Sequence, residues 1–426
     1  MVALVVAVVG MSGVCTAQDR LTLAKKAALF EHDIHKRFLF DGQVACKLKV
    51  PTANRPFVAY NMPDNAYMTG IYLGARAMKY AVTKAPEDRE AARAAIRALN
   101  LLCTVSGKKG LLARAAWPLE RPFEDDGIWR ESPDGKHKWR GDVSSDQMDG
   151  VMYGYAWAYD LVADEDEKRA IAKNVADLVD AVLANGRRII GYDGKPTQWG
   201  NYTPGYVKLV EPMNALILLQ HLKVAHHVTG DDRFDREYRR IALDEGYAEA
   251  AVAARRALWS INYSDDVLLF LAYYPLLKYE KDPKLRDLYL RSLRRTWESA
   301  GKYPGADAQA NPFYAFIVRD LLGDDSGVKA GVATLRWFPL DMKWNRDTIA
   351  GYEKEFGFTF DPIPEKPVPA PGQSFPFDRR AKTWSAWADS PQTGDRSVDA
   401  AMEYNGHDYL AAYWLGRYLG LITPET

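Results

Sequence analysis

The stretch Gly141-Asp142-Val143-Ser144-Ser145-Asp146-Gln147-Met148-Asp149-Gly150, continuing as VMYGYAWAYDLV to Val162, sets the reading of the whole chain. As a helix turning about 100° per residue, it places Asp142, Asp146 and Asp149 at i, i+4 and i+7, within one narrow stripe. Its other positions are glycine, alanine and aromatics with polar tips, among them Tyr153, Tyr155 and Trp157. Small residues let helices approach closely, and Tyr and Trp bury a ring while keeping one polar atom to satisfy. An acidic stripe on such a helix is costly unless it faces a wet cleft or meets partners. The stretch therefore predicts an inner helix with its acids at the edge of a cleft.

Outward from it, greasy small-residue helices alternate with charged amphipathic ones. Leu21 to Phe38 has helical apolar spacing, and a polar, extended stretch follows it. The segment opened by Pro63 is rich in small and aromatic residues and is broken at Lys84-Ala85-Pro86, where an amphipathic helix begins. The same break recurs near Asp164, Asp231 and Asp282, and more weakly near Asp324. Each is an apolar helix end, an acidic or Pro/Gly turn, then a helix with charged outer positions. Irregular spacing excludes a short-period solenoid and predicts αα-hairpins with loops of varied length. About twelve helices are expected, the last spanning Ser397 to Leu419. Strand signal is thin apart from a hairpin turning at Asp193-Gly194. The Pro-rich run Asp361 to Pro376 reads as an extended strap.

Composition narrows the partners. Lys+Arg and Asp+Glu are both 56 in 426 residues, so the chain lacks the basic excess of a nucleic-acid binder. Met1 to Ala17 is apolar and ends in small residues, as a secretory signal peptide does; it is too short for a membrane span. The remaining 18–426 are expected to form one domain, exported to the periplasm or beyond, with lipid attachment at Cys15 a lesser option. Cys46 and Cys103 make no disulfide framework, and no zinc-ligand or calcium-loop spacing is present. His221, His226 and His227 share a helix at spacings unsuited to zinc. No metal, cofactor, phosphate loop or Ser-His-Asp signature is expected.

Five blocks carry a resemblance: residues 61–75 (NMPDNAYMTGIYLGA), 140–162 (RGDVSSDQMDGVMYGYAWAYDLV), 193–204 (DGKPTQWGNYTP), 262–277 (NYSDDVLLFLAYYPLL) and 408–420 (DYLAAYWLGRYLG). Together they resemble the six-hairpin, all-α (α/α)6 toroid of many glycoside hydrolases and some polysaccharide lyases, and a set of exported bacterial proteins of unassigned role. The resemblance spans nearly the whole of 18–426 and implies a fold and a saccharide substrate. No block matches a catalytic signature, so no residue role is carried over.

In such a toroid, chemistry would sit where inner helices begin or end. Glycosidic hydrolysis needs one protonated and one ionised carboxyl group. Asp146 and Asp149 are candidates, with Asp265 or Asp266 as the second acid from another hairpin. The same acids would also serve as first-turn or capping residues. The long loop from Lys108 to Asp142 offers Arg114, Trp129, His137, Trp139 and Arg140 for binding. Trp199, Asn201 and Tyr202 follow the hairpin, Asn262 and Tyr263 precede an inner helix, and His407 lies in the final helix. A lyase would instead use His137 or His407 as base, Tyr202 or Tyr263 as acid, and Arg or Asn to neutralise a uronate. The leading expectation is cleavage of glycosidic bonds in an oligo- or polysaccharide, uronate-containing chains included, by acid/base hydrolysis. A lyase or a non-catalytic glycan-binding toroid remains the alternative.

Overall fold

The computed structural model describes residues 21–121, 123–256, 261–298, 304–360, 385–388 and 401–426. The expected signal peptide and the Pro-rich strap lie outside them. After α1 (Leu23–Asp33), helices follow in pairs: α2 (Asn65–Thr83) with α3 (Pro86–Thr104), and α4 (Ser145–Leu161) with α5 (Glu165–Ala184). A short α6 (Pro204–Leu209) precedes α7 (Met213–Thr229) and α8 (Asp232–Arg239). A short α9 (Tyr247–Ala251) precedes α10 (Tyr263–Tyr279) and α11 (Pro283–Trp297). Then come α12 (Pro312–Leu322) with α13 (Val328–Arg336), α14 (Arg346–Phe356) and α15 (His407–Tyr418).

Six of these close a ring. α2 packs on α4, α4 on α7, α7 on α10, α10 on α12, α12 on α15, and α15 returns to α2. Most of their side chains are buried. α3, α5, α8, α11 and α13 lie outside, each against its inner partner, with charged positions facing water. This is the (α/α)6 toroid. No helix among the described residues is long and apolar enough to cross a membrane.

The turn chemistry explains the alternation. Lys84 ends α2 in a left-handed conformation (φ 56°) and Pro86 starts α3. Asp164 caps α5 through the backbone N–H of Asp166 and Glu167, in a capping box. Asp231 caps α8 through the backbone N–H of Arg233, and Asp282 caps α11 through those of Lys284 and Leu285. These short connections turn each inner helix back as an outer one, so all six inner helices run the same way. Their N-termini share one end of the ring, and the long connections share it too.

α2 and α4 make the closest crossing. A Cβ added to Gly150 would lie 2.7 Å from the Tyr67 carbonyl oxygen, and one on Gly154 2.5 Å from that of Gly70. Only glycine allows backbones this near.

Four sequence expectations need correction. The 108–142 loop is not irregular: 115–118, 137–140 and 129–131 form a three-stranded antiparallel sheet in that order. The final helix begins at His407, ten residues late, because Met402–Tyr404 pairs with Lys47–Lys49 as a strand. Fifteen α-helices are present among the described residues, the short α6 and α9 included. Asp142 is exposed at φ 57°, outside α4, and Ser144 is the N-cap with Gln147 completing a capping box. The expected hairpin is present, Arg188–Ile190 against Pro196–Asn201, with Gly194 at φ 79° in its turn.

Candidate active site

The inner-helix N-termini gather acids at one mouth. Asp64 caps α2, Asp146 and Asp149 lie in the first turns of α4, Glu211 precedes α7, Asp265 and Asp266 open α10, and Asp408 opens α15. They sense one another's charge. Asp146 acts on Asp64, Asp149 and Asp265, and Glu211 acts on Asp265.

Asp265 is the most telling. Burial, then the charges of Glu211, Asp146 and Asp266, push its carboxyl up to about 7. Exposed Asn262 holds it by donating from Nδ2 to Oδ1 at 2.8 Å. Such a group is half protonated near neutrality and suits a proton donor. Asp146, half-buried, is raised by burial but opposed by the Arg114 guanidinium and by its own hydrogen bonds, including one from Ser145 Oγ at 3.3 Å. Asp149 is fully buried, and neither of its oxygens has a hydrogen-bond partner. Burial and the neighbouring Asp146 charge raise it well above the usual carboxylate range, which favours its protonated form.

Asp266 is occupied differently. Arg255 Nε and Nη2 donate to its two oxygens at 2.8 and 3.0 Å, and Gln309 Nε2 donates at 2.6 Å. Both partners of the ion pair are buried, so it ties α10 to the preceding loop. Arg255→Ala is expected to cost about 3–5 kcal/mol, because the Asp266 charge is left without compensation. The urea unfolding midpoint measures this.

Tyr202 lies beside the acids. Its side chain is fully buried, its hydroxyl has no partner, and the charges of Asp149 and Asp146 reach it. Its carbonyl accepts from Tyr247 Oη at 2.6 Å. Asn201 is a tie: its carbonyl accepts from Asn214 Nδ2 at 2.9 Å and its Oδ1 caps Thr203. Trp199, on the same strand, is 56% exposed and presents an open ring at the rim. Arg114 bridges segments, donating to Asp64 Oδ1 at 3.1 Å, the Pro63 carbonyl at 2.9 Å and the Asp142 carbonyl at 2.5 Å. Tyr263 is the half-buried first residue of α10.

Other candidates stand further from the carboxylates or are enclosed. His137 pairs with Ser132 at the turn of its sheet, three residues or about 10 Å along the strand from Arg140. Arg140 is taken up by Asp125 and Asp126, and Trp129 Nε1 donates to the same Asp125 at 2.9 Å. The Trp139 ring is 1% exposed, packed against Tyr192 and Arg130, and offers no free face.

His407 is nearer the chemistry than a place inside a helix would give, because it is the first residue of α15. Asn405 Nδ2 donates to the Ala45 carbonyl, which turns the amide oxygen toward His407 Nδ1 at 2.7 Å. The imidazole therefore carries its proton on Nδ1 and leaves the Nε2 lone pair unpartnered. Burial lowers its pKa to about 4 and that of buried His221 to about 3, so both are uncharged. Sequence reading assigned no role to Asp64, Glu211, Asn214 or Asp408, and judged His221 only by its spacing, as unsuited to zinc. The available signal was positional: nearly every inner helix starts beside an acid. Asp408 is held by Lys343 at 2.5 Å, both side chains fully buried.

No family model matches the chain, and no curated protein sequence matches it. Solved structures do. A GH76 alpha-mannanase from Bacteroides thetaiotaomicron matches over 94% of this chain and 96% of its own, with a TM-score of 0.51 and 12% identity. An unsaturated glucuronyl hydrolase specific for heparin matches over 93% and 95% at TM-score 0.45 and 13% identity. A cellobiose 2-epimerase from Spirochaeta thermophila matches over 93% and 97% at 0.43 and 13%. The likeness to the mannanase is one of fold, in agreement with the ring described above.

Proposed function

We propose that this toroid hydrolyses glycosidic bonds in an oligo- or polysaccharide, with Asp265 as general acid and Asp146 as the ionised partner that activates water or attacks directly. The observation that carries the reading is the Asp265 carboxyl, brought to about 7 at a mouth shared with Asp146 and Glu211. Burial raises Asp146 as well, but Arg114 favours its ionised form, whereas the charges of Glu211, Asp146 and Asp266 all favour the protonated form of Asp265. The exposed Trp199 ring supplies a stacking face at the rim. The same ring architecture in a protein named as an α-mannanase supports a saccharide substrate by analogy of fold. The apolar leader Met1 to Ala17 fits a chain that meets its glycan outside the cytoplasm.

The test is a glycan panel assayed for new reducing ends and, in parallel, for ultraviolet absorbance. A hydrolase yields reducing ends without absorbance, whereas a lyase also yields an absorbing C4–C5 double bond. Asp146→Asn is expected to lower turnover about 10²–10⁴-fold with the fold intact by circular dichroism. Unchanged turnover in that variant removes Asp146 from the mechanism.

A further inference from the structure

The loop that follows α3, Ser106-Gly107-Lys108-Lys109-Gly110, is shared by two cavities on the outer wall of the ring. Gly107 and Gly110 hold left-handed φ values of 68° and 73°. A Cβ on Gly110 would lie 2.5 Å from the Asp177 carbonyl oxygen, so the loop is pressed onto α5. The first cavity, about 280 Å³, lies between the end of α3 and α5 and is lined by Lys108, Lys109 and Lys173. Two of these cations are spent: the Lys109 and Lys173 ammoniums pair with Asp177 at 3.2 and 2.7 Å. Lys108 turns its own ammonium to the Tyr192 carbonyl, which follows Gly191 on the edge of the second cavity.

That second cavity, about 210 Å³, lies between α5, the start of α4 and the hairpin strand Arg188–Ile190. Its walls include the buried side chains of Leu111, Leu112, Val143, Met148, Val182 and Ile189. Its polar lining comes from Lys108, Lys109, Asn185 and Arg188. None of the acids at the mouth lines it.

Charge is in excess here. Among the described residues, Arg188 pairs with no carboxylate, and neither does Arg130, whose guanidinium lies 5.1 Å from the Tyr192 ring. Lys108 donates to the Tyr192 carbonyl at 2.6 Å and lies 3.8 Å over the same ring, so only neutral groups meet it. Three acids stand nearby. Asp177 is taken by Lys109 and Lys173, Asp193 Oδ1 accepts from the Lys195 backbone N–H at 3.1 Å, and Asp142 is exposed beside Val143. Lys108, Lys109, Arg130, Lys173, Arg188 and Lys195 outnumber them. Charge and wall together select the occupant. A neutral apolar molecule would leave the cations unused. A sugar acid would meet them but strip its hydroxyls of water against leucine, valine and isoleucine. The volume lies below the roughly 300 Å³ at which drug-sized pockets begin, so the occupant is small.

We propose that this cavity is a second binding site, for a small carboxylate with an apolar body, one aromatic ring or a short alkyl chain, held by Arg188 and Lys108. The guanidinium forks onto the carboxylate while the body fills the apolar wall. The occupant bridges α5, the start of α4 and the hairpin that carries Trp199. The site stands apart from the hydrolase reading, and its test needs no turnover. Calorimetric titration of the full chain at constant low ionic strength, where screening is modest, would compare benzoate and hexanoate with acetate, benzyl alcohol and glucuronate, each up to about 20 mM. Benzoate or hexanoate is expected to bind with a Kd of about 1 mM or below, and the other three at least about tenfold more weakly, a difference of about 1.4 kcal/mol. Arg188→Gln is expected to weaken the better ligand at least about tenfold with circular dichroism unchanged. Lys108→Met, from the facing loop, is the second variant and should act in the same direction.

No binding of benzoate or hexanoate over that range overturns the proposal. Benzyl alcohol binding as tightly as benzoate removes the need for charge, acetate doing so removes the need for the apolar body, and either overturns it, as does glucuronate binding as tightly. Unchanged affinity in both variants overturns the assignment to this cavity. Asp146→Asn should bind the ligand as the parent does; a loss there would place the carboxylate at the mouth and overturn the site while sparing the hydrolase reading.

Discussion

Asp265→Asn is expected to abolish turnover and, above pH 7, to leave the folded protein more stable than the parent. The first half follows from losing the proton donor, a fall of about 10²–10⁴-fold. The second follows from linkage. The folded carboxyl titrates near 7 and its unperturbed value is 3.8, so the native state holds the proton more tightly than the unfolded chain. Stability from this group is full below about pH 4 and is lost as pH rises through about 7. Asparagine cannot ionise and escapes that loss. A shift of about three units would correspond to about 4 kcal/mol. Asp265 is half-buried, and solvent screening reduces the expected gain to about 2 kcal/mol. Urea unfolding at pH 5 and pH 9 measures it: the advantage of the variant over the parent should be about two-fifths as large at the lower pH as at the higher. A variant less stable at pH 9, with turnover retained, would remove Asp265 as the acid.

Gly150→Val is expected to cost about 4 kcal/mol or more and to lose activity with the fold. The added carbons have nowhere to go. A first one already meets the Tyr67 carbonyl oxygen at 2.7 Å and the Tyr67 Cα at 2.8 Å. These are backbone atoms, so a rotamer change cannot relieve the contact, and α2 and α4 must separate. That displaces Asp146 and Asp149 from Asp64 and opens the tightest joint in the ring. Gly205→Ala is the control, since nothing lies within 4 Å of its added carbon and its φ is not positive. Its midpoint in urea should move by less than about 0.5 kcal/mol.

The ring and its hairpins could be read from the chain because its turns are chemically loud. Lys84-Ala85-Pro86, Asp164, Asp231 and Asp282 stop one helix and cap the next by local bonds, independent of anything distant. The mouth was harder. Asp142 looked like part of the stripe by spacing, yet Ser144 and Gln147 form a local box that starts the helix two residues later. Asp146 and Asp265 were legible as first-turn acids, and Glu211 was equally placed before Pro212 but drew no notice without its spatial neighbour. His407 could not be positioned because its helix starts where a strand from Met402 ends, and that strand exists only by pairing with residues far upstream. The sheet in 108–142 failed for the same reason: its order, 115–118 beside 137–140 beside 129–131, is set by tertiary contact.

α15 rests between α12 and α2 and also covers α1. A nascent chain lacking it would present two raw edges more than 200 residues apart in sequence, each built for the same missing neighbour. The acids of the earlier helices would then line an open trough, and His407, with the lone pair it turns inward, would be absent. The ring therefore closes only once α15 has been made, and a chain that stops short of His407 keeps both edges bare.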